Sequence, residues 1–384
     1  MEMQNQVKSK LPNVGTSIFA VMSKMANDFN AINLSQGFPD FNCSDSLIEL
    51  VNHFMKKGFN QYAPMPGTIE LRKQIAIKVK RDYGREYNFE NEITVTAGAT
   101  QALYTAFSAI VNYGDEVIIF EPAYDSYIPA IIANGGIPIP IKLNQNDFSI
   151  PWNEVEKSIS NKTKCIVINS PHNPTGSILK SEDIDQLEKI VKDTNIFLIS
   201  DEVYEHIIFD KQEHNSFARY DELANRSFII SSFGKTFHTT GWKIGYCCAP
   251  ENLTKEFRKY HQFIVFAVNT PVQLAVAEFL QDENNISSLL DFYQAKRNLF
   301  SLLLKGSKFN FRKCDGTYFQ LLDYSNISNK NDLEFSEYLT KEIGVAVIPL
   351  SPFYKNGSTD KLIRVCFAKN DEVLKQAAEK LVRV

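Results

Sequence analysis

Between about residues 90 and 235, short apolar runs of strand character alternate with longer stretches of helical character. The runs are EITVTA, EVIIF, IPIPIKL, KCIVIN, IFLIS and SFIIS, and the stretches between them include TQALYTAFSAIV and SEDIDQLEKIVKD. Runs so uniformly apolar and so rich in Ile, Val and Phe suit strands buried on both faces, the condition of a parallel sheet covered by helices. In DIDQLEKIVK the apolar positions Ile184, Leu187, Ile190 and Val191 recur at spacings of three and four, so this helix is expected to lay one face on the sheet. The fold class that follows is α/β, a large domain with a mostly parallel sheet covered by helices.

After about residue 285 the pattern changes to a helix (LLDFYQAKRNLFSLLL), a strand (TYFQLLDY), a helix (LEFSEYLTKEI), strands at VAVIP and LIRVCFA, and a terminal helix. That order suits a smaller α+β domain, and 384 residues exceed what one hydrophobic core usually serves. The N-terminal segment has too little apolar length to fold alone and is expected to pack on the smaller unit or on a partner subunit. The expected division is an N-terminal arm and small-domain segment at 1–45, a large domain at 46–284 and a small C-terminal domain at 285–384.

Composition excludes several classes. With 44% hydrophobic and 22% charged residues the chain is neither disordered nor fibrous, and a net charge of −4 from 41 basic and 45 acidic residues offers no broad surface for nucleic acid or anionic lipid. The six cysteines are scattered without a C-x-x-C pair, which fits free thiols and gives no zinc site; no metal is expected. The opening MEMQNQVKSKLP lacks a signal-peptide core and no apolar run is long enough for a membrane span, so a cytoplasmic protein is expected.

Five of the strands run directly into unusual polar or glycine-bearing stretches: TAGATQ, EPAYDSY, NSPHNPTG, SDEVY and SSFGK. In open parallel sheets ligands bind beyond the carboxyl ends of the strands, so these five stretches should meet at one site. SSFGK places Lys235 just past a buried strand, where burial lowers an amine's pKa and leaves it nucleophilic toward carbonyls. AGATQ opens a helix straight after a strand, leaving the backbone amides of Ala99, Thr100 and Gln101 for an anion, and Ser232 and Lys243 flank Lys235 closely enough to complete a phosphate cradle. Asp201 directly follows IFLIS, where a carboxylate is costly unless it meets a cation. Tyr204 would share a face with Asp201 in a helical turn, and the prolines around Asn173 hold its amide toward the site. A buried lysine, a carboxylate for a pyridine nitrogen, a tyrosine and an asparagine for a phenolic oxygen, and an anion cradle together match the needs of pyridoxal 5'-phosphate.

The run SSFGKTFHTTGWKIGY, together with NSPHNPTG, SDEVY and LIRVCFA, resembles the fold-type I pyridoxal-phosphate aminotransferases of class I/II, over nearly the whole chain. QYAPMPG, EPAYDSY and HQFIVFAVNTPVQLA are most similar to the methionine and kynurenine (glutamine-phenylpyruvate) aminotransferase branch. The resemblance implies Lys235 as Schiff-base lysine and proton carrier, Asp201 on the pyridine nitrogen, Tyr204 and Asn173 on the phenolic oxygen, and Tyr124 against the ring face. It further implies phosphate contacts from Ala99, Thr100, Ser232 and Lys243, with Tyr62 reaching in from the second subunit of a homodimer with shared active sites. Arg364 would hold the α-carboxylate of amino acid and 2-oxo acid substrates, helped by Gly37 and Asn173. Kynurenine-acting relatives carry a histidine after the pocket phenylalanine, whereas here Ala267 follows Phe266; Phe19 and Phe266 would instead line an apolar side-chain pocket. The expected reaction is ping-pong transamination of methionine or a related apolar or aromatic L-amino acid. Two alternatives share the fold: a carbon-sulfur β-lyase, and a non-catalytic regulator that binds the same cofactor, for which the residues before LSQGFPDF leave no room for a DNA-binding segment.

Overall fold

The computed structural model describes residues 8–384. Its centre is a seven-stranded sheet made of β2 (Ile93–Thr96), β3 (Glu116–Glu121), β4 (Ile137–Lys142), β5 (Thr163–Asn169), β6 (Phe197–Asp201), β7 (Ser227–Ser232) and β8 (Gly245–Cys248), in the order β2-β8-β7-β6-β5-β3-β4. All neighbours are parallel except β8, which runs antiparallel between β7 and β2. Side chains alternate between two cores along each strand: Ile118, Ile166, Ile168 and Leu198 enter one, and Val117, Ile119, Val167 and Ile199 the other. Both faces are therefore covered, which is why the strands read as unbroken apolar runs. The helix Ser181–Val191 buries Ile184, Leu187 and Val191 on the first face, as its spacing predicts.

A second core gathers around a three-stranded antiparallel sheet, β11 (Ile348–Pro349), β12 (Leu362–Cys366) and β9 (Phe319–Asp323), with the helices Asn284–Leu303 and Asp371–Leu381. The run VAVIP, expected as one strand, is two. Val345 and Ala346 form β10 and pair in parallel with β1 (Ile32–Asn33), while Ile348 and Pro349 pair with β12. The N-terminal helix Ile18–Asp28 buries Met22 against Leu321, Ile348 and Phe353, so the N-terminal segment does pack on the C-terminal unit.

Behind the carboxyl ends of β6 and β7 sits a buried polar knot. The Glu205 carboxylate accepts from Lys78 Nζ at 2.8 Å and Tyr246 Oη at 3.1 Å, and also from the hydroxyls of Tyr83 and Ser231. Burial opposes its charge, yet Lys78, His206 and Ser231 outweigh it and hold the Glu205 carboxyl below the usual range. Lys78 and Tyr83 belong to the helix Ile69–Tyr83, so this knot joins one helix to the ends of three central strands.

β8 also approaches the start of the helix Ala99–Ile110 so closely that a Cβ on Gly245 would lie 2.7 Å from the Ser231 carbonyl oxygen and 3.2 Å from the Ala99 nitrogen. Both neighbours are backbone and cannot swing aside. Gly245→Ala is expected to destabilise the fold by about 1–3 kcal/mol, the scale of overpacking strain, as measured by urea unfolding.

Candidate active site

The carboxyl ends of β5, β6 and β7 and the turn after β2 open onto one cavity of about 320 Å³. Of the expected residues, Phe19, Gly37, Ala99, Thr100, Tyr124, Asn173, Asp201, Tyr204, Ser232, Lys235, Lys243 and Arg364 line it. Three do not. The Gln101 side chain turns away to accept from Ala97 N at 2.9 Å and to meet Thr105 and His261. Tyr62 is 82% exposed and packs edge-on to Phe266, with ring centroids 5.2 Å apart. Phe266, expected beside Phe19, is thus placed elsewhere, because it follows the helix Glu251–Ile264 with a φ of 66° and lies on the surface of its own chain.

Asp201 is buried at the end of β6, its Oδ2 accepting from Tyr127 Oη at 2.6 Å while its Oδ1 has no partner. Burial pushes its pKa up to about 6, against the hydrogen bond from Tyr127. Lys235 stands in the short helix Phe233–Thr236 that directly follows β7, and its Nζ donates to the Gly37 carbonyl at 2.9 Å and to Tyr318 Oη at 3.0 Å. Burial lowers its pKa to about 8, and the nearby positive charges of Arg364 and Lys243 push the same way. The lowered pKa raises the neutral, nucleophilic fraction of the amine far above that of an ordinary lysine. Hydrogen-bonded turns rather than a regular helix carry the chain from Asp201 to Tyr204, yet both side chains still reach the cavity. The ring of Tyr124 stands edge-on to that of Tyr127 at 5.7 Å.

Arg364 is 1% exposed. Its guanidinium lies 3.9 Å over the Phe319 ring, donates to Asn173 Oδ1 at 2.7 Å and to the Ser35 carbonyl at 3.3 Å, and leaves Nε without a partner. A buried cation held only by neutral groups and facing a cavity is arranged for an anionic ligand. At the opposite end, the helix Ala99–Ile110 starts at Gly98 with no side-chain cap, and Lys243 is near enough that a Cβ on Gly98 would sit 3.2 Å from its Nζ. The first amides of that helix are left for a second anion.

The Aminotransferase class I and II model matches residues 30–381. The chain belongs to that family. It is 48% identical to the methionine aminotransferase of Escherichia coli, over 97% of each chain, and 35% identical to the kynurenine–oxoglutarate transaminase of Dictyostelium discoideum, over 96% of this chain and 94% of that one. A crystal structure of an Escherichia coli protein described as having a methionine aminotransferase function superposes with a TM-score of 0.97 at 47% identity, covering 99% of this chain and all of that one. The N-succinyldiaminopimelate aminotransferase of Mycobacterium tuberculosis superposes with a TM-score of 0.95 at 34% identity, over 98% of this chain and all of that one. The protein is therefore an enzyme of the fold-type I aminotransferases, a family that works with pyridoxal phosphate. Among the described residues no group of metal-ligating side chains converges and no helix is long and apolar enough to cross a membrane.

Sequence reasoning missed Tyr127, which holds Asp201, and Tyr318, which holds Lys235 and donates to the Gly37 carbonyl at 2.7 Å. Tyr127 lies inside the quoted stretch EPAYDSY, but nothing local distinguishes it from Tyr124. Tyr318 immediately precedes β9, in the stretch TYFQLLDY that the sequence marks only as strand. Ser35, Gln36, Phe38 and Phe319 also reach the site without a pattern that singles them out.

Because the folded pKa of Asp201 lies above the usual carboxyl value, the stability it contributes is full below about pH 4 and is lost as pH rises through about 6. In cofactor-free protein, Asp201→Asn should leave the melting temperature at pH 4 nearly unchanged and raise stability at pH 7.5 by an amount on the order of 2–3 kcal/mol. Thermal melts at the two pH values check this.

Proposed function

We propose that the protein is a pyridoxal-phosphate aminotransferase that moves the amino group of methionine, or of a related apolar or aromatic L-amino acid, to a 2-oxo acid. The observation that carries this reading is the pairing, in one cavity, of a buried arginine lacking an anionic partner with a lysine of lowered pKa. The residues present also fit the cofactor. The unpaired, buried Oδ1 of Asp201 can accept the N–H of a pyridine ring, and the uncapped start of the helix Ala99–Ile110, beside Ser232 and Lys243, suits a phosphate. Bound there, pyridoxal phosphate supplies an electron sink for the charge left when the α-proton departs.

The protein's own residues do the rest. Lys235 is the group that would hold the cofactor's aldehyde carbon and, once displaced by the substrate amine, take the α-proton as a neutral base. Arg364 binds the α-carboxylate through its fork, with Asn173 fixing one arm, and so presents the α-carbon to Lys235. Asp201, steadied by Tyr127, would accept the N–H of the ring nitrogen, while Asn173 and Tyr204 would serve the phenolic oxygen and Tyr124 the ring face. Phe19, Phe38, Leu103 and Phe319 give the cavity an apolar part of its lining, which favours methionine-like and aromatic side chains.

The exposed aromatics Tyr62, Phe263 (84% exposed) and Phe266 form a patch of the kind that marks an association surface. In our reading two copies bury it against each other, each lending Tyr62 and Phe266 to the partner's cavity.

Excess L-methionine added to the yellow holoenzyme without an acceptor should bleach it in a single half-reaction. Retained colour, with oxo acid and ammonia released from a sulfur-bearing amino acid, would move the assignment to a lyase. Lys235→Ala is expected to abolish steady-state transamination. Arg364→Ala should lower kcat/KM for amino acids roughly 10- to 100-fold or more, the scale of a lost charge-assisted hydrogen bond.

A further inference from the structure

The Lys235 amine is held by groups from two distant parts of the chain. Its Nζ donates to the Gly37 carbonyl at 2.9 Å and to Tyr318 Oη at 3.0 Å, and Tyr318 Oη in turn donates to the same carbonyl at 2.7 Å. The three atoms close a triangle in which the two acceptors lie nearer to each other than either does to Nζ, so both stand on one side of the nitrogen. Lys235 lines the cavity and Tyr318, which is fully buried, does not, so the hydroxyl meets the amine from the wall. A tetrahedral nitrogen that carries Cε and makes two such bonds has one valence left. On an ammonium that valence is an N–H without an acceptor, and on a neutral amine it is the lone pair.

Neither anchor can swing away. The Tyr318 ring stands edge-on to Tyr204 with centroids 5.2 Å apart and packs on Tyr293 and Phe319 in the core of the C-terminal unit. Gly37 is as tightly set, since a Cβ there would lie 2.9 Å from Phe319 Cζ. Phe319 begins β9, and its ring carries the Arg364 guanidinium at 3.9 Å. The residue that holds the amine and the residue that seats the arginine are therefore consecutive. One short piece of backbone registers Lys235 against the group that would receive the α-carboxylate.

We propose that Tyr318 is a positioning residue for proton transfer at Lys235: its hydroxyl, fixed by the Gly37 carbonyl, holds the free amine from behind and leaves the lone pair toward the α-carbon that Arg364 presents. This rests on the reading of Lys235 as the base of an aminotransferase, and it gives Tyr318 a role on the amine rather than on the ligand. When the α-carbon–hydrogen bond breaks, the Nζ lone pair takes the proton and the amine becomes an ammonium, while the electron pair of the broken bond passes to the cofactor's electron sink. The two oxygens then serve the new charge, because an acceptor bonds an ammonium more strongly than a neutral amine. Tyr318 thus favours the outcome of the transfer as well as its direction.

The test compares wild type, Tyr318→Phe and Tyr293→Phe. Tyr293 belongs to the same buried aromatic cluster but its hydroxyl has no partner, so Tyr293→Phe removes a hydroxyl without touching Lys235. In cofactor-free protein, competitive acetylation across a pH series, read by mass spectrometry of the peptide carrying Lys235, gives the pKa of the amine. Losing an acceptor disfavours the ammonium, so Tyr318→Phe should lower that pKa by roughly one unit and Tyr293→Phe should leave it in place. Arg364, Lys243, Asp201, Cys366 and Tyr204, the other ionisable groups facing Lys235, stay in all three proteins. In holoenzyme, Tyr318→Phe should lower kcat for methionine about 10- to 30-fold with KM within about twofold, and should raise the isotope effect of an α-deuterated substrate. Urea unfolding of the same samples runs in parallel. The role of Tyr318 is overturned if its variant matches Tyr293→Phe in either the pKa or kcat, or if the losses follow lost stability in both variants. If wild type itself leaves the methionine α-proton in place, the aminotransferase reading falls, an outcome distinct from failure of the role given to Tyr318, which the pKa in cofactor-free protein still tests.

Discussion

The Glu205 carboxylate and the Lys78 ammonium, both buried, are the contact on which the catalytic edge of the sheet depends. An ion pair in such a place is stable only if its remaining hydrogen-bonding capacity is met, and here Tyr83, Tyr246 and Ser231 meet it. The geometry matters as much as the energy. Glu205 directly follows Tyr204 and comes four residues after Asp201, while Ser231 precedes Ser232 and leads to Lys235. One carboxylate therefore ties together the two segments that carry the proposed ring contacts and the proposed nucleophile, and braces both against the helix Ile69–Tyr83.

In front of that brace the polar groups are deliberately incomplete. Asp201 Oδ1 and Arg364 Nε have no partners, and the Lys235 ammonium rests on a carbonyl and a hydroxyl rather than on a carboxylate. Leaving such groups without partners costs stability, and Asp201 and Arg364 gain when a ligand of opposite charge arrives, whereas Lys235 is left available to a carbonyl. The Glu205 carboxylate has its partners and these cavity groups do not, a contrast that fits one to bracing the sheet edge and the others to meeting substrate and cofactor. The same logic explains why the two ends of the cavity differ. One holds a guanidinium suited to a planar carboxylate, and the other holds free amides and a lysine suited to a compact phosphate.

Much of the architecture was legible in the chain because burial on both faces writes itself into composition. The six runs called as strands are strands of the central sheet, and the helix Ser181–Val191 lies where its apolar spacing demands. The seventh strand, β8, escaped notice. Its four residues GYCC have neither length nor alternation, and only antiparallel pairing with β7 and β2 makes them a strand. VAVIP likewise divides into two because its halves find different partners, β1 and β12, a choice set by distant segments.

The chain by itself determined that strand ends rich in polar residues would meet at one edge of a parallel sheet, and which residue types would stand there. The topology of such sheets leaves that edge as the place where a ligand can enter. Tertiary structure alone decided which atoms remain unpaired. Gln101 turns from the cavity to its own turn and to His261; Phe266 leaves its own cavity for the surface beside Tyr62; Tyr127 and Tyr318, unremarkable in the sequence, grip Asp201 and Lys235. Side-chain direction and hydrogen-bond completion depend on neighbours far along the chain, and no local pattern of residues encodes them.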